Sequence, residues 1–185
     1  MTFWSILSNL TKESERDLKR RFTRAHALMK GRESAKDHLD DKDVGLTGRV
    51  FLITTWRTGK GEEDFTHILA RKHHKITKTI RLNWVKYSRR ALVRAISSHS
   101  SEFSTGDIVA IVRGGGDTKD DQFSPFNEPD AADAIRSLRE RNKAIVVTGV
   151  GHSSDHFAIE DEATFSQATP TDAGYLVCEL LEDST

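Results

Sequence analysis

The 185-residue sequence predicts an α/β protein: a Rossmann-like three-layer fold with a mostly parallel sheet flanked by helices, plus an N-terminal helical arm. Two observations carry this. Short, continuous apolar runs rich in β-branched residues alternate with segments of helical periodicity, as expected of strands buried on both faces. Several of those runs stop at glycine-containing turns loaded with polar groups, where ligands of such sheets sit.

The elements follow in chain order. In residues 3–30, Trp4, Leu7, Leu10, Leu18, Phe22, Ala25 and Met29 recur at steps of three and four with charges between them, which predicts an amphipathic helix. Residues 31–47 lose that period and gather Gly and Asp, a linker. The domain division is therefore 1–47, helix and linker, and 48–185, the α/β domain. There "RVFLITT" is a buried strand, a helix follows at about 61–73, and "KITKTIRL" is a half-buried strand whose Ile76, Thr79 and Ile80 alternate less cleanly. "YSRRALVRAISS" is helical, with Ala91, Leu92, Ala95 and Ile96 on one side. "DIVAIVR" is the strongest strand, "DAADAIRSLRERN" a helix, "KAIVVTG" another buried strand, and "TPTDAGYLVCELLE" a terminal helix.

Composition narrows the function classes. An apolar content of 36% with 30% charged residues suits a soluble globular chain. No apolar stretch reaches membrane-spanning length, and the acidic "MTFWSILSNLTKESE" start is unlike a signal peptide. The lone cysteine, Cys178 in "YLVCELL", excludes an internal disulfide, reads as core filler and fits a reduced, cytoplasmic setting. The formal net charge of zero conceals an asymmetry: residues 1–100 hold 22 Lys and Arg against 11 Asp and Glu, and residues 101–185 hold 6 against 17. Phe65 to Ser101 carries nine basic residues and no acid, with Trp84 and Tyr87 among them. Two readings fit that stretch equally. Arg71, Lys72, Lys75, Arg89 and Arg90 could grip the phosphates of a single strand while the rings stack on bases. Alternatively, the stretch is a solvated face answering the acidic half across the fold.

Three strand ends carry the chemistry. After the first comes "WRTGKGEED", with Thr58, Gly59 and Asp64 at a helix entry. "RGGGD" gives Arg113 followed by Gly114, Gly115 and Gly116. In "GVGHSSD", His152 and Asp155 follow a Gly-Val-Gly hinge. Successive glycines let a backbone approach an anion with unblocked N–H groups. Arginine offers a planar, permanently charged fork for phosphate oxygens. A histidine titrates near neutrality, and Asp155 could orient its imidazole. His152 and His156 stand at a zinc-like spacing, but the further ligands are missing, so no metal or other cofactor is expected.

The order of these motifs, "ITT…TGKGEEDF…DIVAIVRGGGD…FNEPDAADAI…KAIVVTGVGHSSD…ATPTDAG", resembles the catalytic core of the exonuclease VII large subunit over about Arg49 to Leu181. By that resemblance Asp64, Arg113, His152 and Asp155 fall on the family's catalytic positions. Gly114, Gly115, Gly116, Phe126, Asn127, Thr169 and Pro170 fall on its other signature positions. Two residues depart from the pattern: Asp117 stands where the family has Ser, and Ser153 where it has Glu. The family's amino-terminal oligonucleotide-binding barrel and its carboxy-terminal coiled coil, on which small subunits dock, are not expected in this chain.

The resemblance implies metal-independent hydrolysis of phosphodiester bonds in single-stranded DNA. Arg113 and the glycine amides would neutralise the pentacoordinate phosphorus. His152, oriented by Asp155, would activate water or protonate the leaving oxygen, with direct attack by the imidazole as another route. Asp64 would be a second acid/base or a positioning group. Two other functions remain open: a nucleotide or single-stranded nucleic-acid binding module with little or no turnover, and a hydrolase of small nucleotides. Single-stranded nucleic acid or a nucleotide is the expected partner. The 3–30 helix docks on its own sheet, on a copy of itself or on a partner subunit.

Overall fold

The computed structural model describes residues 45–55, 60–82, 89–114, 123–151 and 155–182. The helix expected at 3–30, nearly all of the 31–47 linker, and Thr58, Gly59, Gly115, Gly116, Asp117, His152 and Ser153 lie outside the described residues.

The strands are β1 (Val50–Thr55), β2 (Lys78–Leu82), β3 (Ile108–Arg113), β4 (Ile145–Val150) and β5 (Phe165–Gln167). The helices are α1 (Lys60–Arg71), α2 (Ala91–Ser98), α3 (Ser124–Asn127), α4 (Pro129–Glu140), α5 (Ala158–Glu162) and α6 (Pro170–Glu182), with a 3-10 turn at Ser100–Glu102. All four strand pairings are parallel, in the order β2-β1-β3-β4-β5. This is the expected α/β layering, with every described pairing parallel.

Every residue of β1, β3 and β4 is buried, which explains why these strands read as unbroken apolar runs rather than alternating ones. Alternation still sorts their side chains by face. Phe51, Ile53, Val109, Ile111, Val146 and Val150 share a core with Leu92, Ile96, Ala131, Ile135 and Leu138, so α2 and α4 cover that face. Helices α1 and α6 contact each other and the sheet, covering the other face. Cys178 lies buried in α6, and burial pushes its thiol up to about 11, as befits core filler. Among the described residues no helix is long and apolar enough to cross a membrane.

Boundaries differ from the sequence reading where local chemistry intervenes. The strand expected from Lys75 begins at Lys78, because His73 adopts φ 62° and the chain is still turning. Thr77 then joins the strands from outside, its N–H donating to the Val50 carbonyl at 2.8 Å and its hydroxyl accepting from the Val50 N–H at 3.0 Å. Three short elements, α3, α5 and β5, were not anticipated.

A candidate phosphate-binding rim

In a doubly wound sheet the ligand crevice opens where neighbouring strands leave in opposite directions along the sheet, here between β1 and β3. A pair of glycines stands at that point. A Cβ on Gly61 would collide with the backbone nitrogen of Gly114, and one on Gly114 would lie 2.9 Å from the nitrogen of Gly61. The first turn of α1 therefore abuts the end of β3 as closely as backbone allows. Asp64 is exposed on the same helix, three residues after Gly61.

The two-residue period of β3 sends Arg113 to the same face as Val109 and Ile111, and only 6% of it is exposed. A buried guanidinium needs compensation. Its carbon lies 3.5 Å from the centroid of the Phe123 ring, and its Nη1 donates to the Gly114 carbonyl at 3.3 Å. Phe123 in turn stacks on Phe157, with centroids 5.3 Å apart and planes 10° from parallel. Phe126 meets Phe157 edge-on at 6.2 Å. All three rings are buried.

Strand β4 delivers the third group. Gly151 adopts φ 79° and donates its N–H to the Arg113 carbonyl at 3.1 Å, extending the β3–β4 ladder by one bond. A Cβ there would lie 2.5 Å from Asp155 Oδ2 and 3.0 Å from Phe157 Cε2. The Asp155 carboxylate thus folds back onto the bare Cα of Gly151, beside the end of β3. His156, the second histidine of "HSSDH", stands 3.1 Å from Glu160 through Nδ1 and 3.1 Å from Asp161 through Nε2. The hydrogen bond to Glu160 raises its pKa above the usual value. Glu160 also accepts the Phe157 N–H at 3.1 Å, fixing the entry to α5.

Other predicted residues have visible local tasks. Asn127 Oδ1 accepts the Ala158 N–H at 3.2 Å, tying α3 to the start of α5. Thr169 caps α6: its hydroxyl accepts the Asp172 N–H at 3.1 Å and donates to the Asp172 carboxylate at 2.8 Å. With Pro170 opening the helix, "TPTD" is a complete start signal at the end of β5.

The fold divides the basic stretch. Arg71, Lys72 and Lys75 stand at or beyond the far end of the 12-residue α1, about 18 Å from its start and at the opposite edge of the sheet. Lys72 lies 3.3 Å from Glu182 there. Arg89 and Arg90 precede α2 on the rim side, 3.6 Å from Glu128 and 2.6 Å from Asp130. Lys78 pairs with Glu102, and Arg81 with Glu62. Five cations of this stretch thus meet acids, four of them from the acidic half of the chain.

Arg113, Gly114 and Asp155 therefore lie at one edge of the sheet, where the start of α1, the helix that carries Asp64, abuts Gly114 from the other face. The residues that sequence reasoning missed are Gly61, Gly151, Phe123 and Phe157. The two glycines lay inside motifs already noticed, whereas the phenylalanines, 34 positions apart, gave no periodic signal.

The exodeoxyribonuclease 7 large subunit of Thermotoga sp. strain RQ2 is 39% identical over 90 residues, covering 49% of this chain and 21% of that protein. The Clostridium kluyveri protein of the same name is 24% identical over 144 residues, covering 77% and 34%. The chain thus spans between a fifth and a third of the length of these relatives. Among solved structures, an Escherichia coli protein aligns with a TM-score of 0.43 at 7% identity, over 98% of this chain and 93% of its own, too loose a likeness to bear on function. The family model described as "Exonuclease VII, large subunit" matches residues 45–184, the whole α/β domain with its glycine-rich rim, and the chain belongs to that family.

Proposed function

We propose that this chain hydrolyses phosphodiester bonds in single-stranded DNA at the rim formed by the ends of β1, β3 and β4. The observation that supports the reading is the buried Arg113 at the end of β3, with Asp155 beside the neighbouring strand end and the start of the Asp64 helix against Gly114. Gly151 bonds the Arg113 carbonyl and bears the Asp155 carboxylate, and Gly114 touches the helix that holds Asp64. A guanidinium with its water stripped away binds a phosphate more strongly than an exposed one would, since its charge acts through a low dielectric.

In the proposed reaction a water oxygen forms a new bond to phosphorus as the bond to the leaving oxygen breaks. Arg113 and the amides of Gly114, Gly115 and Gly116 hold the charge that builds on the equatorial oxygens. His152, oriented by Asp155, takes the proton from the attacking water. Asp64 is the candidate for delivering a proton to the leaving oxygen. A carboxyl group beside a phosphate suits that task only when protonated or paired with a cation. These fixed donors do the work without a divalent ion.

A second reading, a small-nucleotide hydrolase or a binding module, draws on one observation. The rim arginines Arg89 and Arg90 already face Glu128 and Asp130, which weakens a long grip on a strand. One assay separates the readings: incubation of the purified chain with labelled single-stranded DNA, duplex DNA and mononucleotides, with and without EDTA. Shortening of the single strand alone, equal with EDTA present and abolished by His152→Ala, is expected. Product from mononucleotides alone, or binding without product, selects a rival, and activity lost with EDTA contradicts the metal-free mechanism.

A further inference from the structure

We infer that Phe123 is a positioning residue for the reaction, setting the plane in which Arg113 meets the phosphate. The inference rests on the reading of Arg113 as the phosphate clamp. The guanidinium carbon sits 3.5 Å from the centre of the Phe123 ring, so the cation lies against the face of the ring. Face-on contact leaves the edge of the fork, where its five N–H donors point, clear of the ring. One of these goes to the Gly114 carbonyl, which fixes rotation within the plane. A phosphate approaching the rim then meets a fork of defined tilt and defined rotation.

The support behind the ring points the same way. Phe123 is 1% exposed and lies parallel to Phe157, which is 2% exposed. The Phe157 edge reaches the Cα of Gly151, on which the Asp155 carboxylate also rests. Arginine and carboxylate are thus registered to each other through two stacked rings as well as through the β3–β4 ladder. Packing alone does not ask for this. Val109 and Ile111 occupy the same face of β3 with apolar side chains, and a third would fill position 113 without a buried charge to compensate.

The test replaces Phe123, in the full chain, by phenylalanine carrying one, three or five ring fluorines. Fluorine withdraws the negative charge of the ring face and leaves shape nearly unchanged. Hydrolysis of single-stranded DNA should fall stepwise along the series, by about tenfold in kcat at five fluorines. The melting temperature should stay within about 2 °C. Phe123→Trp, which keeps an aromatic face, should hold kcat within about threefold. A kcat that is flat across the fluorine series overturns the inference, because a ring that only fills space is indifferent to its charge. Arg113→Ala is measured alongside. If it leaves hydrolysis unchanged, the phosphate-clamp reading fails and takes this inference with it. If it abolishes hydrolysis while the fluorine series is flat, the positioning role alone is lost.

Discussion

Two arginines, at opposite edges of one sheet, each lie over a phenylalanine. At the amino-terminal edge Arg49 stands 4.9 Å from the Phe51 ring, with its side chain 41% exposed. Its Nη2 donates to the Glu102 carbonyl at 2.7 Å and lies 3.4 Å from Asp107. Asp107 itself is fully buried, accepting the Thr47 hydroxyl at 2.6 Å and the Ser104 N–H at 2.8 Å. This edge is a closed accounting of donors and acceptors, and its polar groups fasten the entry to β1 against the entry to β3. At the carboxyl edge Arg113 is buried against a closer ring, and bare glycines replace side chains where backbones meet. The same residue types serve cohesion at one edge and, in the proposed reaction, phosphate binding at the other. What separates them is exposure and ring distance: Arg49 is 41% exposed and 4.9 Å from its ring, whereas Arg113 is buried and 3.5 Å from its own.

Substitutions at the two edges should therefore fail in different ways. The largest effect is expected at the carboxyl edge, where Arg113→Ala should lower the rate of single-strand hydrolysis by about a hundred- to a thousandfold. Thermal melting would show the fold retained, and a variant with unaltered rate would remove the contrast. Next comes Asp107→Ala, which strands the Thr47 hydroxyl and the Ser104 N–H and should cost about 3 kcal/mol of stability. Urea unfolding checks it, and the hydrolytic rate below the transition should match the parent. Gly151→Ala joins both failures, since φ 79° is strained for any side chain and the new methyl meets Asp155. About 1–2 kcal/mol of stability and a clear drop in rate should go together.

The smallest effect concerns pH. The folded-state pKa of His156 is raised above 6.5, first by its hydrogen bond to Glu160. Protonated His156 therefore favours the fold below pH 6.5, and that contribution fades as pH rises through the raised folded value. With the side chain 38% exposed, solvent screens the pair, so His156→Gln should flatten a shallow slope rather than lower stability broadly. An NMR titration with a His156 midpoint at or below 6.5 would contradict the assignment.

The sheet was largely legible because β1, β3 and β4 are buried on both faces and their residues leave no other interpretation. Three elements were not. β5 is three residues, "FSQ", too short for any period, and α5 is the acidic "AIEDE", whose burial rests on Ile159 and the N–H-binding Glu160. The brief α3 begins at Ser124-Pro125, which sequence treats as a turn. At the candidate site, Asp64, Arg113 and Asp155 were singled out because glycine-rich turns mark strand ends. The Arg113–Phe123–Phe157 stack was hidden because its members are joined only by the path of the chain through space. The basic stretch left two readings open because its contiguity in sequence is not kept in space: α1 and β2 spread it over both edges, and four of its cations meet acids of residues 101–185.

The comparison of the edges comes down to where a phosphate binds. A crystal structure of the His152→Ala variant with a short single-stranded oligonucleotide addresses this directly. A phosphate within hydrogen-bonding reach of the Arg113 guanidinium, flanked by Asp64 and Asp155, is expected. A strand bound instead along Arg71 and Lys75, with the Arg113 rim vacant, would contradict it.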